Sequence, residues 1–250
     1  MIKSALYREP RPLDPATDRH KKVKPLADWS IAREMHAVFL AATEFPDASL
    51  ALPIIFVHTG ERGPEGQLLI APVALMGLSV NENLFVDDEG RWDARYLPAF
   101  IRRYPFLTAG VQGGDSPVVF VDAAWSGFND TEGEPLFEDG DRPAPALQRT
   151  LDFLRQFDAE QQRTRAFCAR LIGLDLLKQV AADATLPGGE SLKVEGILSV
   201  DEDKLQALPD ATVLELHRSG MLMLLQVHLV SLRHLPELVE RKAARMTRTA

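Results

Sequence analysis

Between Asn83 and Phe106 the chain sets four arginines, Arg91, Arg95, Arg102 and Arg103, among Trp92, Tyr96, Phe100 and Tyr104. A guanidinium grips a carboxylate or phosphate through paired N–H donors and stacks its flat face on aromatic rings. These residue types at this density describe a pocket for a small anionic ligand. Arg91, Arg102 and Arg103 would hold the charge, with Arg95 beside them, and Trp92 or Tyr104 would stack. Asn129, in the Gly127-Phe128-Asn129 loop, belongs to the same expected site, and Asp93 or Asp122 is the candidate base. The plainer alternative is that the arginines pair internally with Asp87, Asp88 and Asp93.

Other clusters carry weaker signals. The acidic stretch Asn129, Asp130, Glu132, Glu134, Glu138, Asp139 and Asp141 is rich in oxygen, but it lacks the spacing of an EF-hand calcium loop and reads as a solvated loop. His217, His228 and His234 share the back half without metal-ligand spacing, so no metal and no cofactor is expected. The single cysteine, Cys168, sits near the apolar stripe of a helix and reads as a buried, inert thiol. The chain has no phosphate-binding glycine loop, no G-x-S-x-G elbow and no H-E-x-x-H pair. No catalytic residue is assigned, and the reading leans away from an enzyme.

The elements that must position these residues fall into an α+β pattern. A Pro-, Arg- and Lys-rich extended arm covers residues 1–28, and its run Arg19, His20, Lys21, Lys22 and Lys24 is expected to lie on the domain with solvated charges, with an anionic partner as the alternative. Residues 29–125 form a β-rich core with a mainly antiparallel sheet. Its strands are expected over Ala37–Leu40, Pro53–His58, Leu68–Leu75, Leu84–Val86 and Val118–Val121, the last after a Gly113-Gly114 break. A short helix is expected over Tyr96–Tyr104, with Pro98 in its first turn. Residues 126–145 form the acidic loop, packed by Phe128, Leu136 and Phe137.

Residues 146–250 form a mainly helical part packed on the core. Leu147, Leu151, Leu154, Phe157, Phe167 and Leu171 recur at helical steps over Ala146–Ile172. A polar gap at Ala159–Arg165 interrupts that stripe, where the helix would cross a polar surface or a partner. A small β-hairpin follows, with a turn at Leu186–Glu190 and a strand at Leu192–Val200. Short helices come next at Asp201–Leu208 and Asp210–Arg218, the second with Asp210 as N-cap. Two more, Met221–Leu232 and Leu235–Arg245, close the chain, and the first of these is rich in methionine and leucine.

The totals bound the function. A net charge of −8 disfavours a general nucleic-acid binder. The longest apolar run, near Met221–Leu232, has roughly a dozen residues and falls short of the ~20 that a spanning helix needs. One cysteine allows no internal disulfide, and the N-terminal segment has no apolar signal region, so a cytoplasmic protein is expected.

The order of several segments resembles the bacterial SapC family. They are Glu44-Phe45-Pro46, Pro53-Ile54-Ile55-Phe56, Glu82-Asn83-Leu84-Phe85-Val86-Asp87, Gly90-Arg91-Trp92 and Pro98 through Phe106. Gly127-Phe128-Asn129, Gly133-Glu134-Pro135-Leu136-Phe137 and Leu216-His217-Arg218-Ser219-Gly220 complete the set. The family takes its name from a surface-layer protein secretion locus. Its members lie beside genes for outer-membrane receptors and halogenase-like flavoproteins, and some relatives are labelled peptidase or transport component. No nucleophile or metal motif here supports a peptidase, and no span supports a permease. The resemblance implies a cytoplasmic accessory or binding protein for surface-layer secretion or envelope uptake, with an envelope or co-operon protein as partner. It supplies no catalytic residues.

Overall fold

Period-two runs of Val, Ile and Phe build the central strands, and a 3.6-residue apolar stripe builds the long helix. The computed structural model describes residues 6–110, 117–139, 141–185 and 191–249. In chain order, the N-terminal arm gives β1 (Pro10–Pro12), the single turn α1 (Pro15–Asp18) and β2 (Lys22–Val23). Then come β3 (Ala37–Phe39), α2 (Phe45–Ala48), β4 (Ile54–Arg62), β5 (Leu68–Leu75), α3 (Ala99–Arg102), β6 (Phe106–Ala109) and β7 (Val118–Asp122). The acidic segment holds β8 (Phe128–Asn129), β9 (Glu134–Pro135), β10 (Phe137–Glu138) and β11 (Arg142–Pro143). The back half comprises α4 (Pro145–Gly173), β12 (Leu177–Thr185), β13 (Ser191–Val200), α5 (Glu202–Gln206), α6 (Asp210–Arg218), α7 (Met221–Ser231) and α8 (Leu235–Thr249). The fold is mixed α+β, as expected, with antiparallel sheets mainly N-terminal. The expected Gly113-Gly114 break and Leu186–Glu190 turn lie outside the described residues.

The main sheet has five strands in the order β12-β13-β4-β5-β3, every neighbouring pair antiparallel. The late hairpin thus extends the early sheet. Ile54, Ile55 and Phe56 of β4 are all buried, so this strand is covered on both faces. Helix α4 packs on β5, and α7 packs on β4 and β13. Phe45, Phe56 and Phe167 meet there, with ring centroids 6.1–6.3 Å apart.

A second, smaller core gathers Phe106, Val121, Phe128, Leu136, Phe137, Leu147 and Leu154. The first half of α4 serves this cluster, and its last turns (Phe167, Cys168, Leu171) serve the large one. The polar gap falls between the two. There the hydroxyl of buried Thr164 accepts a hydrogen bond from the Ala42 N–H at 2.9 Å and donates to the Glu160 carbonyl at 2.7 Å. The gap supplies a partner for a backbone donor that no strand or helix would satisfy.

The arm is woven into the fold. β1 pairs with β7 in a three-stranded sheet of order β1-β7-β6, and β2 is the middle strand between β8 and β9. The basic run therefore meets the acidic segment, with Arg19 on Asp141 (2.8 Å), Lys21 on Asp130 (3.0 Å) and Lys24 on Glu132. Residues 126–145 carry four two-residue strands, packed as expected by buried Phe128, Leu136 and Phe137.

Three shorter expectations are corrected. Leu84–Val86 forms no strand. Val86 makes one isolated bridge to Trp92, because the Asn83 side-chain oxygen Oδ1 takes the Phe85 N–H (2.9 Å) and draws the backbone into a local turn. The helix expected over Tyr96–Tyr104 shrinks to α3. Pro98 is extended (φ −56°, ψ 139°), and the Tyr96 and Leu97 carbonyls are taken by the Trp92 indole and the Arg102 guanidinium. The N-cap of α6 is Pro209, which places Asp210 at the first helical position.

Buried polar side chains pin the irregular segments. Asp122 is fully buried and accepts from the N–H groups of Arg8 (3.1 Å), Glu9 (2.8 Å) and Ala124 (3.3 Å) and from the Tyr104 hydroxyl (2.9 Å). Its role as a candidate base thus meets a carboxylate already engaged on both oxygens. Glu44 accepts from the Ala41 and Ala99 N–H groups and the Tyr96 hydroxyl, all within 2.8 Å. His228 is fully buried in the large core, where its Nε2 accepts the Val200 N–H at 3.2 Å and lies 3.1 Å from the Ser199 hydroxyl. Burial lowers its pKa from 6.5 to about 4.

Two outcomes follow. Asp122→Asn replaces an acceptor of four donors with an amide that presents its own N–H groups, and costs about 2–4 kcal/mol in urea unfolding. A cost under about half a kcal/mol would contradict the pinning role. His228 takes a proton more readily in the unfolded chain than in the folded one. Its contribution is therefore complete above pH 6.5 and falls as pH drops from 6.5 to about 4, by about 3 kcal/mol. Unfolding at pH 7 and pH 4.5 should show His228→Gln losing most of that slope.

Candidate functional site

A groove of about 500 Å³ opens between the arm, the segment Leu97–Phe106, Trp125 and the first turns of α4. Arg102, Arg103 and Tyr104 line it, three of the seven residues expected at an anion site. Arg102 lies over the Tyr96 ring (5.8 Å) and the Phe153 ring (5.5 Å). Arg103 lies 4.2 Å from the centre of the Phe100 ring and 5.0 Å from that of Phe157. Neither arginine has an ion-pair partner among the described residues, and the Arg103 Nε is buried without an acceptor. Internal pairing, the plainer alternative, therefore does not describe these two. Rings supply the counter-surface that carboxylates would otherwise give.

Local structure holds both side chains in place. The Arg102 Nε donates to the Leu97 carbonyl at 2.9 Å, which bends the segment back over α3. The Tyr104–Pro105 peptide bond is cis. Tyr104 is fixed by Asp122, and its ring meets Tyr7 at 5.5 Å and Trp125 at 5.9 Å. Burial and the Asp122 carboxylate push the Tyr104 hydroxyl's pKa up, so it stays a neutral donor. Burial likewise pushes Tyr7 up to about 12.

Gly127 decides where Trp125 sits. A Cβ at this position would collide with the indole ring, so only glycine lets the ring lie against the loop.

The remaining expected residues go elsewhere. Arg91 pairs with Asp87 (2.7 Å) and Glu89 (3.0 Å), and its guanidinium holds the Asp87 carboxyl below its ordinary range. Trp92 stacks on Phe85 at 6.0 Å and gives its indole N–H to the Tyr96 carbonyl. Both line a separate cleft of about 700 Å³ beside Arg33 and Arg241. Asp93 pairs with Arg241 at 2.7 Å, and Arg95 is exposed and lines neither cleft. Asn129 spends its side chain on its own turn. Its amide donates to the Gly127 and Glu132 carbonyls, and its oxygen accepts from Thr131 and Glu132.

Several groove residues escape sequence reasoning. Trp29 and Lys24 come from the arm side, and Arg149 and Phe153 come from α4. Lys24 is held by Glu132, and Arg149 by Glu134 at 2.7 Å. The uncompensated charge in the groove is therefore that of Arg102 and Arg103. Of these, only Lys24 left a trace, as a member of the basic run on the arm.

The groove holds groups that bind and orient an anion. Ser199 and His228 stand at the distance of a nucleophile and its base, yet both are buried, and Nε2 already takes the Val200 N–H. No cluster of metal-ligating side chains occurs among the described residues. Burial raises the Cys168 thiol to about 12, which leaves it an unreactive core residue at neutral pH. No helix among the described residues is long and apolar enough to cross a membrane.

Comparison with curated proteins and with solved structures finds no match. The sequence profile of the SapC family matches residues 13–238, a span that takes in the arm from Leu13 onward, both cores and the groove. This chain belongs to the SapC family.

Proposed function

We propose that the protein is a cytoplasmic accessory binding protein whose groove takes an organic anion with a flat apolar body. One observation carries this reading: Arg102 and Arg103 lie in the groove wall, stacked on rings and without carboxylate partners among the described residues. An entering carboxylate or phosphate gains charge-assisted hydrogen bonds there. Trp29 and Trp125 give its apolar portion a surface. The family's name and the gene neighbours of its members support a role beside surface-layer secretion or envelope uptake. The lone, buried Cys168 is in keeping with a reducing compartment.

The direct test is thermal stabilisation, since a ligand that binds only the folded state raises the midpoint by mass action. Indole-3-acetate and other aromatic carboxylates should raise it, and the neutral indole-3-acetamide should not. Arg102→Ala, at an exposed position, should weaken binding by about tenfold. Arg103→Lys keeps the charge but loses the planar fork and the stack, and should weaken it comparably. Equal shifts from acid and amide, or full binding by Arg102→Ala, would sink the reading. For the wider role, affinity capture from the native host should recover an envelope or co-operon protein, and its consistent absence would count against that association.

A further inference from the structure

A second groove, of about 430 Å³, lies where the polar gap of α4 faces the start of α7. The sequence singles out both features, and the groove just described uses neither. Its walls are mainly apolar, with Pro46, Phe167, Met221 and Leu224 among them, and Met223 on the rim is 54% exposed. One wall residue breaks the pattern. Glu160 is only 8% exposed, and it stands in the groove lining. Its Oε1 takes the Arg163 guanidinium at 2.5 Å, and its Oε2 is buried with no donor.

A carboxylate oxygen removed from water and left without a donor is costly. Arg163 relieves one oxygen only, and its own side chain is 74% exposed and free to swing away. The geometry points to this groove as a binding site for a protonated primary amine carried on an apolar body. The ammonium takes over the place of the Arg163 guanidinium on the Glu160 carboxylate, from which its further N–H groups serve the oxygen that Arg163 leaves without a donor, and the apolar body lies along Phe167, Met221 and Leu224. Methionines adapt to the shape of such a body through their flexible thioethers. The site shares no lining residue with the Arg102–Arg103 groove and asks for the opposite ligand charge, so either stands or falls without the other.

The test uses the full chain, calorimetric titration and n-hexylammonium chloride, with sodium hexanoate and hexanol as charge controls at matched ionic strength. Hexylammonium should bind saturably, and each control should bind at least about tenfold more weakly. Glu160→Gln keeps the shape and removes the charge, and should lose the preference for the amine. Arg163→Ala removes the competing cation and should tighten amine binding by up to about fivefold. Hexanol binding as well as hexylammonium would show a merely apolar crevice and overturn the proposal. So would unchanged amine binding in Glu160→Gln. If circular dichroism shows that Glu160→Gln does not fold, Arg163→Ala decides, because its exposed side chain is not needed for the core; unchanged or weaker binding there overturns the proposal.

Discussion

Much of this chain runs outside long strands and helices, and its buried backbone donors need acceptors that secondary structure does not provide. Three buried carboxylates fill that need. Asp122 gathers the backbone of Arg8, Glu9 and Ala124 with the Tyr104 hydroxyl. Glu44 joins Ala41 to Ala99 and Tyr96 across the large core. Asp18, fully buried, takes a two-pronged grip from Arg11 at 2.6 and 2.8 Å and the Asp14 N–H at 3.0 Å. Each acts as a hub for segments that would otherwise leave donors unsatisfied in an apolar interior. The sheet and α4 provide the bulk, but these hubs decide where the groove-forming loops lie.

The same logic shapes the groove. Asp122 holds Tyr104, which packs on Trp125, which needs the bare backbone of Gly127. Arg102 ends the short α3 and Arg103 follows it, directly before Tyr104, and both are steadied by Tyr96, Phe100, Phe153 and Phe157. Two positive charges are thus held ready by rings, which lie flat beneath them without neutralising them.

The regular elements were legible because burial imposes a period. β5 falls on the expected Leu68–Leu75, and α4 differs from the expected helix by one residue at each end. The late hairpin was legible as a hairpin, but its place beside β4 was not, since no local pattern encodes a partner more than a hundred residues away. Leu84–Val86 misled because an apolar triplet looks like a strand until Asn83 diverts its backbone. Of the expected site residues, Arg102, Arg103 and Tyr104 share a groove, while the turn at Asp87–Gly90 carries Arg91 and Trp92 to another cleft. Composition showed the right residue types. Which of them face one another depends on the arm and on α4, and Trp29, Arg149 and Phe153 reach the groove through long-range topology alone.

The threading of the arm has a consequence for how the protein is made. β2 finds its two hydrogen-bonding neighbours only at Phe128–Asn129 and Glu134–Pro135. On a ribosome, this stretch therefore has no seat until the chain has been synthesised as far as Glu134–Pro135. During that interval Val23 and the lysines around it have no neighbouring strands, and the opposite charges that later meet them have not yet been translated. The basic character of this stretch keeps it soluble and extended meanwhile, and the acidic segment, on arrival, closes a seam between the two ends of the nascent front half.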